Sequence, residues 1–207
     1  MSFILAVVTA QMPTPTPRII GGTQVTPFAY PFLARVYDRV ASSNSGFCGA
    51  SLIANDWVLS AAHCFDNRDP SSIHIGIHRD LVWSGSTNEH ACAEVIPAAQ
   101  VICHPTYGVN NQMADYGYDI CLVRLSRAIT CPDIPKIRLD NGYLWPMDAP
   151  APQNGGRALV IGWGATNSAG TNLATRANQA EVNLYTRAQC RQYYTSGPEV
   201  STRELAD

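Results

Sequence analysis

Apolar residues in this chain come in short runs cut by turn residues, with no long 3.6-residue repeat. Ile73, Ile75 and Ile77 alternate with Ser72, His74, Gly76 and His78, the two-residue period of a half-buried strand. From Gly46 to Leu59 two apolar stretches flank Asn55-Asp56, a turn signal between strands. Ile120 to Leu125 is a short apolar run, and so is Ala158 to Trp163, which Gly164 stops. Gln179 to Leu184 alternates weakly, and the best helical stretch is short, about Thr186 to Tyr194. Many short strands punctuated by turns predict an all-β barrel or sandwich.

The texture changes at two places. Phe3 to Ala10 is a short apolar run ending in small residues, without a preceding Lys or Arg, and is read as an export signal over residues 1–10. Gln11 to Arg18 (QMPTPTPR) is Pro-rich and carries no core residues, an extended and accessible pro-segment over residues 11–18. The Pro-, Gly- and Asn-rich stretch from Asn141 to Gly156 predicts a linker at 141–154. It divides a first β unit at 19–140 from a second, at 155–207, that is short for a closed barrel. No other apolar run approaches the ~18 residues of a membrane span.

Composition narrows the partners. Charged residues are only 14% of the 207 and the net charge is −2, with no basic block, so neither nucleic acid nor an anionic membrane surface is an expected partner. Seven cysteines, Cys48, Cys64, Cys92, Cys103, Cys121, Cys131 and Cys190, suit an oxidising, extracellular compartment. Their spacings fit no zinc pattern, so no metal or other cofactor is expected. Cys92 with Cys103, and Cys121 with Cys131, are compatible with local staples. Spacing does not fix connectivity, and other pairings, including one between Cys92 or Cys103 and Cys131, stay open. His74 and His78 share a predicted strand face and are read as a solvent-facing pair rather than a metal site, because no carboxylate or thiolate cluster accompanies them. His90 and His104 are read as surface residues.

The most specific stretch is Leu59-Ser60-Ala61-Ala62-His63-Cys64, preceded by Trp57-Val58. It resembles the histidine signature of the trypsin/chymotrypsin family of serine proteases. Further segments resemble the same family in the same order. These are Arg18-Ile19-Ile20-Gly21-Gly22, Gly46 to Ile53 (GFCGASLI), His104-Pro105-Thr106-Tyr107, Tyr118 to Leu125 (YDICLVRL) and Gly162-Trp163-Gly164. Together they run from about residue 18 to the last residue. The resemblance implies a double six-stranded antiparallel β-barrel whose second barrel is incomplete in these residues. It also implies a Cys48–Cys64 disulfide, activation by another protease cutting between Arg18 and Ile19, and protein or peptide substrates.

The implied chemistry explains the residue types. A serine hydroxyl is a weak nucleophile near neutral pH and needs a base within hydrogen-bond reach. His63 would be that base, and Asp119 would hold its imidazole in the required tautomer; the family is itself the standard example of this arrangement. Asp115 and Asp133 are nearby, but neither opens an apolar strand. The family's Gly-Asp-Ser-Gly-Gly-Pro does not occur in the chain. Thr195-Ser196-Gly197-Pro198 lacks the preceding Gly-Asp and the second Gly, so Ser196 is read as a loop residue and not as the nucleophile. Cys190 resembles the family cysteine whose partner lies further downstream, which accounts for the odd count. The expectation is a serine endopeptidase whose nucleophile lies outside these residues, and which alone is inactive. The alternative is a non-catalytic homologue that acts as a binding or inhibitor protein.

Overall fold

A computed structural model describes residues 22–38, 46–81, 89–108, 118–140, 156–165, 173–186, 188–189 and 192. The export signal, the Arg18-Ile19 site, the whole linker at 141–154, Ser196 and Cys190 lie outside the described residues.

The first unit is a closed barrel. Its strands are β2 (Leu33–Asp38), β3 (Cys48–Ala54), β4 (Trp57–Ser60), β5 (Ile73–Ile77), β6 (Glu94–Cys103) and β7 (Cys121–Leu125), after a two-residue β1 (Thr23–Gln24). Their order around the barrel is β2-β3-β4-β7-β6-β5, all neighbours antiparallel. β5 closes the ring onto β2 through five residue pairs, from Ala34 opposite Ile77 to Asp38 opposite Ile73. Closure leaves no unpaired strand edge.

The alternation anticipated in β5 is what fills this barrel. Ile73, Ile75 and Ile77 point inward and are fully buried against Val36, Leu52, Val58, Ile96 and Val123. Each such side chain contributes on the order of 1.5–3 kcal/mol by leaving water. Asn55-Asp56 makes the β3–β4 turn as expected, and its carbonyls are used. Asp56 accepts from the N–H of Leu125 at 2.8 Å and Asn55 from that of Ile129 at 2.9 Å.

β2 departs from alternation, with four successive residues buried. The reason is a second layer on its outer side. Arg35 lies over the ring of Trp163 at 5.0 Å, and its guanidinium donates to the carbonyl of Gly46. Burial lowers the Arg35 pKa to about 10. Tyr37 crosses Gly76 so closely that a Cβ there would sit 2.6 Å from the tyrosine ring. Only glycine fits at that crossing.

The second unit is a three-stranded antiparallel sheet among the described residues, ordered β1-β9-β8, with β8 at Arg157–Gly162 and β9 at Asn178–Asn183. Its small core is Val25, Trp163 and Ala177, flanked by Tyr30, Leu33 and Ile161. The architecture is therefore all-β, a complete barrel followed by a partial one. Helical structure among the described residues is confined to two 3₁₀ turns, Ala62–Phe65 and Pro70–Ser72, and to residues 188, 189 and 192. The last group begins as anticipated near Thr186, with a reciprocal cap. Thr186 Oγ1 accepts from the Gln189 N–H at 3.2 Å while Gln189 Oε1 accepts from the Thr186 N–H at 2.9 Å. No helix of the described residues is long and apolar enough to cross a membrane.

Two readings from sequence change. His78 is not solvent-facing. The strand ends at Ile77, and His78 turns inward at φ 53° to lie buried against Phe28 and His90. Its pKa is lowered, first by burial and then by the neighbouring His90. His104 is only partly exposed, because its ring stacks on that of Tyr118.

Candidate active site

Strand register brings the two singled-out residues together. Ser60, the last residue of β4, pairs with Cys121, the first of β7. The strands are antiparallel, so residues just after Ser60 run alongside residues just before Cys121. His63 and Asp119 meet there although 56 positions separate them.

Three restraints hold His63. Cys64 is bonded to Cys48 on β3. Ala62–Phe65 forms a 3₁₀ turn that begins at an extended Ala61. Ser60 Oγ donates to the Gly49 carbonyl at 2.8 Å, tying the exit of β4 to β3. The turn after the histidine is fixed in its own way. Arg68 pairs with Asp38 at 2.8 Å and lies 3.8 Å over the ring of Phe47. Tyr107 Oη donates to Asp66 at 2.8 Å.

Asp119 addresses His63 twice. One carboxylate oxygen accepts from the His63 backbone N–H at 2.8 Å, and the other sits 2.7 Å from Nδ1. Burial works against the charge on Asp119, but hydrogen bonds from the His63 ring, from its N–H and from the Ala62 N–H outweigh it. The carboxyl is held below its ordinary value. An ionised carboxylate can only accept, so Nδ1 carries the proton facing it, and the lone pair of a neutral ring is left on Nε2. The imidazole side chain is 52% exposed and the carboxylate 23%. The imidazole is open to solvent while its partner is partly sheltered.

Nε2 lies 3.7 Å from Cys64 Sγ. Cys48, His63 and Cys64 form a tight triangle of donor atoms. Both sulfurs belong to one disulfide, however, so neither offers the thiolate that a zinc site needs.

The remaining described cysteines resolve the open pairings. Cys92 joins Cys131, and Cys103 joins Cys121 directly across β6 and β7.

Residues 19–205 match the family model described as Trypsin. The chain belongs to the trypsin family. It is 35% identical over 196 residues to anionic trypsin of Canis lupus familiaris, covering 92% of this chain and 69% of the relative. It is 29% identical to chymotrypsin-like elastase family member 1 of Bos taurus, with 94% and 68% covered. It is 31% identical to serine protease SSP1 of Scolopendra subspinipes, with 84% and 57% covered. The chain thus spans between 57% and 69% of the length of these three relatives. Among solved structures, neuropsin, a serine protease expressed in the limbic system of mouse brain, superposes with a TM-score of 0.67 at 25% identity. The superposition covers 89% of this chain and 72% of that one.

One cluster in this trypsin-family chain escaped sequence reasoning. Arg79 and Glu89 form an ion pair at 2.8 Å with side chains only 5% and 3% exposed. Glu89 also accepts from the Asp80 N–H at 2.7 Å. The Asp80 carboxylate pairs with Arg176, and the Asp80 carbonyl accepts from Trp163 Nε1 at 2.9 Å. These contacts fasten the end of β5 to the second sheet. Burial raises the Asp80 pKa, Arg176 opposes the rise and Glu89 adds to it. Charges packed at Arg79-Asp80 right after an apolar strand were the available signal, but their partners Glu89 and Arg176 are too distant in sequence to be read as such.

Proposed function

We propose that this chain carries the base half of a serine-type endopeptidase, with His63 as general base and Asp119 as the group that orients it. The observation behind this is the double engagement of His63 by one carboxylate, at its backbone N–H and at Nδ1. A carboxylate held that way selects the Nδ1–H tautomer and stabilises the imidazolium that forms when Nε2 takes a proton. Nε2 would take the proton of a serine hydroxyl attacking a peptide carbonyl, and later return it to the leaving amine. Substrates are accordingly proteins or peptides. The serine segment Gly-Asp-Ser-Gly-Gly-Pro does not occur in the 207 residues, so by themselves they hydrolyse no peptide.

Activation by a protease cutting between Arg18 and Ile19, and secretion directed by residues 1–10, belong to the same reading. Three disulfides in the first barrel support an oxidising destination. The unit boundaries 19–140, 141–154 and 155–207 are proposed with it, with β1 of the first segment reaching across to pair with β9 of the second sheet. The second reading is a non-catalytic homologue that binds through its scaffold as a binding or inhibitor protein.

The deciding experiment reads the transcript beyond the codon for Asp207. Continuation through a cysteine and Gly-Asp-Ser-Gly-Gly-Pro supports the endopeptidase, and a stop codon supports the binding protein. Peptide hydrolysis by the 207-residue chain that vanishes in His63→Ala would overturn its inactivity and with it the non-catalytic reading.

A further inference from the structure

Asp119 sits at the apex of a short turn, and the residue before it is conformationally out of place. Tyr118 has φ 63°, in the left-handed region where a bulky side chain is strained and glycine or asparagine is at ease. It is also 56% exposed, so burial does not hold it there. What holds it is a stack. Its ring lies on that of His104 with centroids 4.4 Å apart and planes 10° from parallel.

The neighbouring hydrogen bonds make this stack one side of a clamp. The Tyr118 carbonyl accepts from the Ile120 N–H at 2.7 Å, closing the turn around Asp119. The Ile120 carbonyl accepts from the His104 N–H at 2.9 Å. His104 follows Cys103 and Ile120 precedes Cys121, and these two cysteines are bonded across β6 and β7. The His104 ring is itself oriented, since Nδ1 accepts from the Thr106 N–H at 3.2 Å. The circuit returns to the base, because the next residue, Tyr107, donates to Asp66 in the turn after His63.

We propose that Tyr118 and His104 form a positioning pair that fixes where the Asp119 carboxylate points, and through it the orientation of His63. The inference rests on the reading of His63 and Asp119 as a base and its orienting carboxylate. An exposed loop position free of such a duty is better filled by glycine or asparagine. The stack on His104 is the contact that calls for an aromatic ring at 118. Strain retained beside reacting groups is a recurrent mark of positioning.

The test is a spectroscopic signature that works without a nucleophile. In the full chain labelled with ¹⁵N-histidine, the His63 Nδ1–H proton facing a carboxylate gives a low-field resonance, assigned by its absence in His63→Ala. Tyr118→Phe keeps the ring and is expected to keep the resonance. Tyr118→Asn accepts the left-handed backbone without the ring, and His104→Ala removes the other half of the stack. Both are expected to lose the resonance. The methyl signals of Ile75 and Val123 in the barrel core report that each variant is folded. Retention of the resonance in His104→Ala or in Tyr118→Asn overturns the proposal, and so does its loss in Tyr118→Phe. Asp119→Asn separates the two levels. If it leaves the wild-type signal unchanged, the base-and-carboxylate reading itself fails, whatever the stack does.

Discussion

The closed barrel and the three-stranded sheet are built from similar text but differ in what they bury. In the barrel, every inward residue of β5 and its neighbours Val36, Leu52, Val58, Ile96 and Val123 is shut away from water. In the sheet, Leu159 and Val160 on β8 and Val182 on β9 remain 40–48% exposed. An apolar strand stabilises only when something covers it, and covering requires either closure or a second layer. Both residues of the candidate base sit on the covered half, on turns leaving or entering barrel strands. The difference teaches that the His63–Asp119 pair is placed by the closed barrel, through the β4–β7 register, and not by the strands of the second sheet.

Four measurements would break or sharpen that contrast. The largest effect is expected at the seam. Glu89→Gln takes the carboxylate from a buried guanidinium and should cost about 4 kcal/mol in chemical denaturation, the scale for breaking a buried ion pair. Because Asp80 links this pair to Trp163 and Arg176, the loss should appear in probes of both units. A loss confined to one unit would show that they fold separately. Next, Ile75→Ala empties a fully buried barrel position and should cost about 3 kcal/mol, measured the same way.

A smaller effect concerns acid. The Asp119 carboxyl lies below its ordinary value in the folded chain, so its contribution is fully present above 3.8 and fades as pH falls through the depressed folded value. Both side chains are partly solvated, which limits the contribution to under about 1 kcal/mol. Asp119→Asn should therefore trail the wild type in stability above that pH and converge with it below. A constant gap would refute the linkage. The smallest effect is expected in the sheet. Val160→Ala, on a half-exposed strand, should change stability by less than about 0.5 kcal/mol. A cost like that of Ile75→Ala would mean that Val160 is covered in solution.

How much of this was legible depended on whether the signal was local. β5 announced itself because Ile73, Ile75 and Ile77 face a core and alternate strictly. β2 did not, since Arg35 is buried by a tryptophan 128 positions away (163 − 35), which no window along the chain can anticipate. β6 was hidden by Pro97 and by a run of polar and small residues, although Pro97 still takes its place opposite His74. With β6 unread, the Cys103–Cys121 pairing was out of reach, because those residues meet only as register partners of β6 and β7. His78 was misplaced because periodicity says nothing about where a strand stops. His63 and Asp119 were identified by the motifs around them, yet their meeting is a property of the β4–β7 register and not of either motif. Tyr118 stood in the segment that carries the resemblance, but its left-handed backbone was unreadable, since a positive φ leaves no mark in sequence.

The barrel strands β2 to β7 come from one unbroken stretch, residues 33–125, and the three disulfides among the described residues fall between residues 48 and 131. Domains fold N-terminal first as a chain is synthesised at roughly 5–20 residues per second. A ribosome delivering this chain into an oxidising lumen would finish every strand of the barrel, β2 to β7, before it reached β8. The histidine and its carboxylate can thus be assembled and covalently locked while the second sheet is still being made. Vectorial synthesis would then present the later strands with a finished surface, the seam around Asp80, on which to condense.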